Sequence, residues 1–369
     1  MATESAFYPP FQGDSARLLR LIEFLKTKGW QIDVVHFHDR DQVDADYKKM
    51  SDICDSLTVY YPHDNDLQKR STEDIDDWCP DRFAQLVAHT CRVTSPVAVM
   101  AQFVFFSKCF AYLGSHQMLK ILDADNIFTR RREIFESAGI KYNWFSTNKA
   151  EEEKGWSRAD VLLSVQENEV KIMKQAFPEK PVLLVPYARD IVEERPQLNE
   201  NILFVGALND ENREGLQKFI LQALQPIQTK FPRAKLLIAG KVGKCFSSIK
   251  GVEWLGVIDD LSSCFRQASI VINTTQCGTG LKTKTIDALC HGKCLVSTPA
   301  GVQGLEHYPG IYQTANSLED FVSLIINLFE DRREIQRIEK AALEFARNYF
   351  DARIVFGRVD EVIRNHLSR

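Results

Sequence analysis

Short apolar runs alternate with helix-periodic segments along most of this chain, and the alternation starts twice. In the first run, Ala16 to Lys28 carries Leu18, Leu19, Ile22 and Leu25 at helical spacing and stops at Gly29. Gln31 to Phe37, Leu57 to Tyr61, Val97 to Phe103 and Lys120 to Asp123 read as strands. A helix over Asn148 to Arg158 leads into the buried-type strand Val161 to Val165, and Val182 to Pro186 closes the run. The pattern restarts after the polar stretch Arg189 to Glu200. Strands are expected at Asn201 to Gly206, Ala234 to Gly240, Val252 to Gly256, Ile270 to Asn273 and Cys294 to Ser297, with a helix over Glu214 to Lys230. Leu318 to Arg369 reads as helical throughout. Short apolar strands separated by helices imply parallel sheets covered on both sides. The expected fold class is α/β, with two doubly wound Rossmann-like domains facing a cleft. Residues 1–188 would form the first domain, 189–345 the second, and 346–369 a C-terminal helix crossing back to the first. Such a domain normally begins with a buried strand, yet only Met1 to Phe7 precede Pro9, so a short strand is expected around Ala2 to Phe7.

A chain of 369 residues is long enough for two such cores. Its 46 Lys and Arg against 50 Asp and Glu leave a formal charge of −4, without the basic excess of a protein that neutralises many phosphates. No nucleic-acid partner is expected. The nine cysteines form no CxxC pair and read as reduced thiols. Val97 to Leu113 is interrupted by Gln102, Ser107 and Lys108, too short and too polar to span a bilayer. A cytoplasmic placement follows as an expectation, with peripheral membrane contact and oligomeric state left open.

In open α/β sheets ligands bind beyond the carboxyl ends of the strands. The strongest local signal there runs from Gln276 to Pro299. Gly278, Thr279 and Gly280 make a turn directly before a helix expected to start near Lys282. Glycines let backbone N–H groups approach an oxyanion, and a helix N-terminus carries partial positive charge. Lys282 adds a full charge, and Asp287, one turn after Thr283, lies where it could reach ribose hydroxyls. Together they make a sugar–diphosphate cradle. The competing reading is a structural glycine turn with Lys284 and Asp287 paired at i,i+3 on a solvated face. Both stand on local chemistry alone.

Gly278-Thr-Gly-Leu-Lys-Thr-Lys, Asp287-Ala-Leu, Gly292-Lys-Cys-Leu-Val-Ser-Thr-Pro and Gly301-Val-Gln-Gly-Leu together resemble the donor-site segment of family 4 glycosyltransferases (glycosyl transferases group 1), which have the GT-B fold. Asn201-Ile-Leu-Phe-Val-Gly-Ala, followed by Asn212, resembles the opening of that family's donor domain. Phe7-Tyr-Pro-Pro-Phe-Gln-Gly-Asp-Ser-Ala-Arg and Asp123-Ala-Asp-Asn-Ile-Phe-Thr-Arg-Arg are similar to its acceptor-domain segments. The resemblance spans most of the chain, specifically in the second half and more loosely in the first.

The resemblance implies transfer of a sugar from a nucleotide-sugar donor to a glycan, lipid-linked or other hydroxyl acceptor, with retention and with neither metal nor other cofactor. Residues 1–188 would bind the acceptor and 189–345 the donor. Donor contacts carried over are Gly13, Gly206, Arg213, Gly278, Thr279, Gly280, Leu281, Lys282 and Asp287; the catalytic candidates are Asp125 and Lys282. The family's two acidic residues lie eight positions apart. Asp287 matches the second, while the first falls on Thr279. The arginine expected after the first donor-loop glycine is Ala207 here, which leaves Arg213 as a substitute or as a surface helix-start residue. Lys282 would then stabilise the leaving diphosphate electrostatically. Asp125 stands where relatives carry a histidine and would orient or deprotonate an acceptor hydroxyl, or else pair with Arg130 or Arg131. Arg17 would point into the cleft or cover its helix. His36, His38 and Asp39 lack a further ligand of matching spacing, and the tripeptide Asp123-Ala-Asp125 has no fitting context, so no metal is expected. Cys277, Cys290 and Cys294 read as core. The alternative functions are a non-catalytic nucleotide-sugar-binding subunit and a nucleotide-sugar epimerase of the same fold.

Overall fold

The computed structural model describes all residues except 11–12, 40–44, 69, 71–72, 115–116, 138, 140, 143, 194–197, 259, 277–279 and 369. Gly278, Thr279 and Cys277 therefore lie outside the described residues. In chain order the first elements are β1 (Ala2–Thr3), α1 (Gly13–Thr27), β2 (Asp33–Phe37), α2 (Tyr47–Ile53), β3 (Ser56–Tyr60) and α3 (Asp64–Gln68). Next come α4 (Asp81–Thr94), β4 (Ala98–Gln102), β5 (Leu119–Asp123), α5 (Arg131–Ser137), α6 (Lys149–Ser157), β6 (Val161–Ser164), α7 (Glu167–Ala176) and β7 (Val182–Leu184). The second run has β8 (Asn201–Val205), α8 (Asp210–Phe219), α9 (Gln225–Lys230), β9 (Lys235–Ala239), β10 (Val252–Gly256), α10 (Ser262–Phe265), β11 (Ile270–Asn273) and α11 (Thr283–Cys290). It continues through β12 (Cys294–Ser297), β13 (Gln313–Thr314), α12 (Leu318–Glu330) and α13 (Arg332–Tyr349) to α14 (Ala352–Val355) and α15 (Gly357–Leu367). Two compact units result: Met1–Ile134, Tyr142–Ala188 and Ala352–Arg369 in the first, and Phe135–Lys141 with Arg189–Asp351 in the second. Residues 346–351 stay with the second unit because α13 runs unbroken to Tyr349.

The first unit holds a seven-stranded parallel sheet in the order β3-β2-β1-β4-β5-β6-β7. Strand alternation sends neighbours to opposite faces. Val34, Ile121 and Leu163 join one core with Leu18, Leu21, Ile22 and Leu25 of α1, whereas Val35, Leu122 and Leu162 join the other with Phe83 and Val87 of α4. Val355, Phe356, Val359 and Ile363 of the C-terminal helices complete the first of these cores. The opening strand is central and only two residues long, pairing Ala2 with Val35 and with Ala101. It ends where the Thr3 hydroxyl accepts the Ser5 N–H at 2.9 Å and itself donates to Gln102, a local capture that replaces the ladder.

The second unit holds a six-stranded parallel sheet, β10-β9-β8-β11-β12-β13. The helix expected from Glu214 starts earlier, at Asp210. The Asn209 side chain caps it by accepting the Asn212 N–H at 2.8 Å, and Asp210 and Glu211 favour the first turn. Helical winding then continues through a π-helical turn at Ile220–Leu224 into α9. The edge strand β13 has no apolar run to announce it. Among the described residues no helix is long and apolar enough to cross a membrane.

Candidate functional site

In the second unit, the carboxyl ends of β8 and β11 and the head of α11 bring one set of polar groups together. Asn212, in the first turn of α8, is 6% exposed. Its Nδ2 donates to the Ala207 carbonyl at 2.8 Å, closing the loop after β8, and its Oδ1 accepts from the Lys284 ammonium. Lys284 Nζ also lies 3.4 Å from Thr275 Oγ1 and 4.8 Å from the centre of the Phe204 ring. Burial, with the neighbouring Lys282 charge, pushes the Lys284 amine down to about 7 against the pull of Glu211. A Cβ on Gly206 would meet Phe204 Cε1 at 2.7 Å and Asn212 Nδ2 at 3.1 Å, so the loop closes this tightly only over glycine.

Lys282 is the N-cap residue of α11 but provides no side-chain cap; its Nζ donates to the Gly280 carbonyl at 3.3 Å. Gly280 has φ +78°, a left-handed conformation that suits glycine, and Leu281 is buried. Beneath the helix head, Asn273 Nδ2 donates to Thr285 Oγ1 at 3.0 Å and to the Gly301 carbonyl at 3.1 Å. Asp287 does not pair with Lys284. Its Oδ1 accepts from Arg189 Nε at 2.6 Å, and both side chains are mostly buried. The solvated Lys284–Asp287 face is thus corrected: Lys284 turns toward Asn212, where its charge has an acceptor. Arg213 forms an exposed pair with Asp210 at 2.8 Å. Cys290 and Cys294 are buried core thiols, pushed upward by desolvation.

The first unit presents a different chemistry. Asp123 ends β5, and the chain turns at once: Asn126 N donates to the Ala124 carbonyl at 2.7 Å, with Asp125 between them at φ +58°. A turn of this kind is rare and strained for a residue with a side chain. Asp125 is 3% exposed. Its Oδ2 accepts from Asn126 Nδ2 at 2.6 Å, while Oδ1 is buried without a hydrogen-bond partner among the described residues. Burial raises this carboxyl to about 7; Asp14, Asp123 and Glu169 push the same way, and Arg17 opposes them. A carboxyl so poised can accept or return a proton near neutral pH.

Arg17 neither reaches outward nor covers the surface of its helix. Fully buried, it pairs with Asp123 Oδ2 at 2.5 Å and donates through Nε and Nη2 to the Val185 carbonyl at 3.1 and 2.8 Å. Gly13 opens α1, whose Asp14 accepts from the Ser5 hydroxyl. Arg130 pairs with Glu133 at 2.7 Å, and the Arg131 guanidinium lies 5.1 Å from the Phe128 ring centre, near Tyr142 and Trp144. His38 Nδ1 meets the Tyr47 hydroxyl at 2.5 Å, and Asp39 lies 3.5 Å from Arg70. Among the described residues no group of three or more His, Cys, Asp or Glu is arranged to hold a metal ion. Sequence reasoning missed the pairing of Lys284 with Asn212 and that of Arg189 with Asp287. Only the Asn209/Asn212 cap spacing hinted at the first.

A family model described as Glycosyl transferases group 1 matches residues 199–331, inside the second unit. The chain is 22% identical to an uncharacterized 44.6 kDa protein in the cps region of Klebsiella pneumoniae, over 95% of this chain and 96% of the relative. The structure of HepE from Anabaena in complex with UDP and glucose is similar with a TM-score of 0.67 at 12% identity, covering 98% of each chain. Sucrose-phosphate synthase from Thermosynechococcus elongatus is similar with a TM-score of 0.69 at 12% identity, over 100% of this chain and 98% of that one. Likeness at such identities is one of fold. The chain carries a Glycosyl transferases group 1 domain at residues 199–331 and has the two-domain α/β architecture of GT-B glycosyltransferases.

Proposed function

We propose that this chain is a glycosyltransferase of the family 4 type, moving a sugar from a nucleotide-sugar donor to a hydroxyl of a glycan or lipid-linked acceptor, with retention and without metal. The observation that carries the reading is the coincidence of the Glycosyl transferases group 1 match with the unit in which Lys284, Asn212 and Thr275 gather beside Lys282 at the head of α11. The UDP held by HepE is the kind of ligand that two lysines so placed suit. In this reading Lys282 and Lys284 take the diphosphate, Gly206 and Gly280 let backbone approach it, and Asp287 takes the ribose. The bond from the sugar C1 to the β-phosphate oxygen breaks and the nucleoside diphosphate leaves with the electron pair. The acceptor oxygen bonds to C1, and its proton passes to the donor phosphate or to Asp125. Charge growing on the diphosphate is met by fixed cations, which is where most of the acceleration would arise.

Ligand-observed NMR with UDP-, GDP-, ADP-, CMP- and dTDP-sugars tests the donor half. Selective binding to one donor, lost in both Lys282→Ala and Lys284→Ala, is the expected result. Binding to none of them, or binding untouched by either change, would remove the site. A second reading is favoured by Ala207 in place of the family's arginine and by the exposed pairing of Arg213 with Asp210: a non-catalytic nucleotide-sugar-binding subunit. Release of nucleoside diphosphate on turnover separates the two.

A further inference from the structure

Three consecutive backbone N–H groups just beyond the Asp125 turn end on buried carboxylates. Ile127 N donates to Glu169 Oε1 at 3.1 Å, Phe128 N to Glu152 Oε1 at 2.8 Å and Thr129 N to Glu152 Oε2 at 2.7 Å. Glu152 comes from α6 and Glu169 from α7, and both are at least nine-tenths buried. Glu169 is gripped from its other side as well: Ser164 Oγ donates to Oε2 at 2.9 Å and Gln166 Nε2 to Oε1 at 2.8 Å. Burying a carboxylate is costly, and a loop could be tied by neutral acceptors at less desolvation. A strained residue persists only where its surroundings over-determine it. The anchored amides begin two residues after Asp125, the one residue of this turn held at positive φ.

We propose that Glu169 is a positioning residue for Asp125: by holding the Ile127 amide from α7 it fixes the turn that presents the Asp125 carboxyl with one oxygen unengaged. The functional value of that presentation rests on the reading of Asp125 given above. Asp125 faces Asp14 and Arg17 from α1, Asp123 from β5, Glu169 from α7 and Tyr187 beyond β7. Arg17, the cation of this group, pairs with Asp123 and still pulls the Asp125 carboxyl down. The Glu169 charge acts the other way, with burial, favouring the protonated form.

The test is a pH titration of 13C-labelled aspartate carboxyls, with the Asp125 signal identified by its loss in Asp125→Asn, alongside amide hydrogen exchange. Glu169→Gln removes the charge but keeps an acceptor: the Asp125 midpoint should fall by ~0.5 unit or more while Ile127 stays protected. Glu169→Asp keeps the charge but shortens the reach. There the Asp125 midpoint should stay high and Ile127 should exchange roughly tenfold faster or more. An Asp125 midpoint unmoved in Glu169→Gln, or Ile127 protection unchanged in Glu169→Asp, overturns the proposal. So does a uniform acceleration of exchange across the first unit with no change at Asp125. Should Glu169→Gln not fold, Glu169→Asp carries the test alone. Wild-type nucleoside diphosphate release by Asp125→Asn would instead sink the reading of Asp125 and leave the hold of Glu169 on the turn to the NMR result.

Discussion

Replacing Arg17 with methionine should be among the most damaging single changes available in the first unit, and replacing its partner as well should reverse most of the damage. The guanidinium and the Asp123 carboxylate are 0% and 1% exposed at 2.5 Å, and the guanidinium also donates twice to Val185. Removing one partner leaves an uncompensated buried charge, at about 3–5 kcal/mol, whereas replacing both with apolar groups is often near neutral. Four of the five tryptophans, Trp30, Trp78, Trp144 and Trp156, belong to the first unit, so tryptophan fluorescence in urea reports chiefly on it. With a slope of about 2 kcal/mol per M, a loss of about 4 kcal/mol moves the midpoint down by roughly 2 M. The Arg17→Met/Asp123→Leu double variant should recover most of that, giving a large coupling between the sites. A single variant within about 1 kcal/mol of wild type, or a double variant as unstable as the single, would refute the reasoning.

Glu339 is a buried carboxyl beside a cavity of about 190 Å³ between α13 and the turn that follows α11; its Oε2 has no hydrogen-bond partner among the described residues, and burial raises it to about 7. The folded state then binds the proton more tightly than the unfolded one, so this group's contribution is fully present below about pH 4 and lost as pH rises through about 7. Glu339→Gln should raise the melting midpoint at pH 8 and leave it nearly unchanged at pH 4; equal shifts at both would contradict this. Gly301→Ala places a Cβ 2.2 Å from Ser297 Oγ and 2.7 Å from Asn273 Nδ2, which should cost about 1–3 kcal/mol in thermal unfolding and weaken donor binding. A neutral outcome would mean the Asn273–Thr285–Gly301 packing is loose. For turnover, kcat/KM should rise with Asp125 deprotonation and fall as Lys284 loses its proton, both near pH 7, whereas kcat should keep only the acid limb because bound diphosphate holds the lysine proton. An alkaline limb that survives in Lys284→Met would disprove the assignment.

The strands were legible because a parallel strand covered on both faces must be apolar along its length, as Val161–Ser164 and Ile270–Asn273 are. The short strand expected around Ala2 to Phe7 is there as Ala2–Thr3, legible from the fold class and not from any apolar run of its own. What escaped were elements defined by their partners: Gln313–Thr314 exists only as a neighbour of β12. The first turns of α8 were missed because Asp210 to Arg213 has no apolar periodicity; a cap, not a stripe, starts that helix. At the site the glycine-rich segment pointed to the head of α11, but the partners that define its chemistry lie far along the chain. Lys284 and Asn212 are 72 residues apart, Arg189 and Asp287 98, and Arg17 and Asp123 106. Spacing arguments see one helix turn at a time, so Lys284 was read against Asp287, its neighbour on the helix, and not against Asn212.

The two centres share a cause that no local motif contains. Desolvation disfavours whichever form is charged, so it raises an acid and lowers an amine. Asp125 and Lys284 both come to about 7 by that route, from opposite directions. In each case burial outweighs the strongest opposing charge, Arg17 at Asp125 and Glu211 at Lys284. Near neutral pH neither perturbation stabilises the fold, since each reports a charged form made costlier by burial than it would be in water. An unengaged carboxylate oxygen and a lysine held by the neutral oxygens of Asn212 and Thr275 have the same requirement. In the function proposed above, each is completed by something from outside the chain, a hydroxyl proton for Asp125 and an anion for Lys284. That complementarity, rather than the glycine turn alone, is the physical argument for a group-transfer enzyme over a passive scaffold.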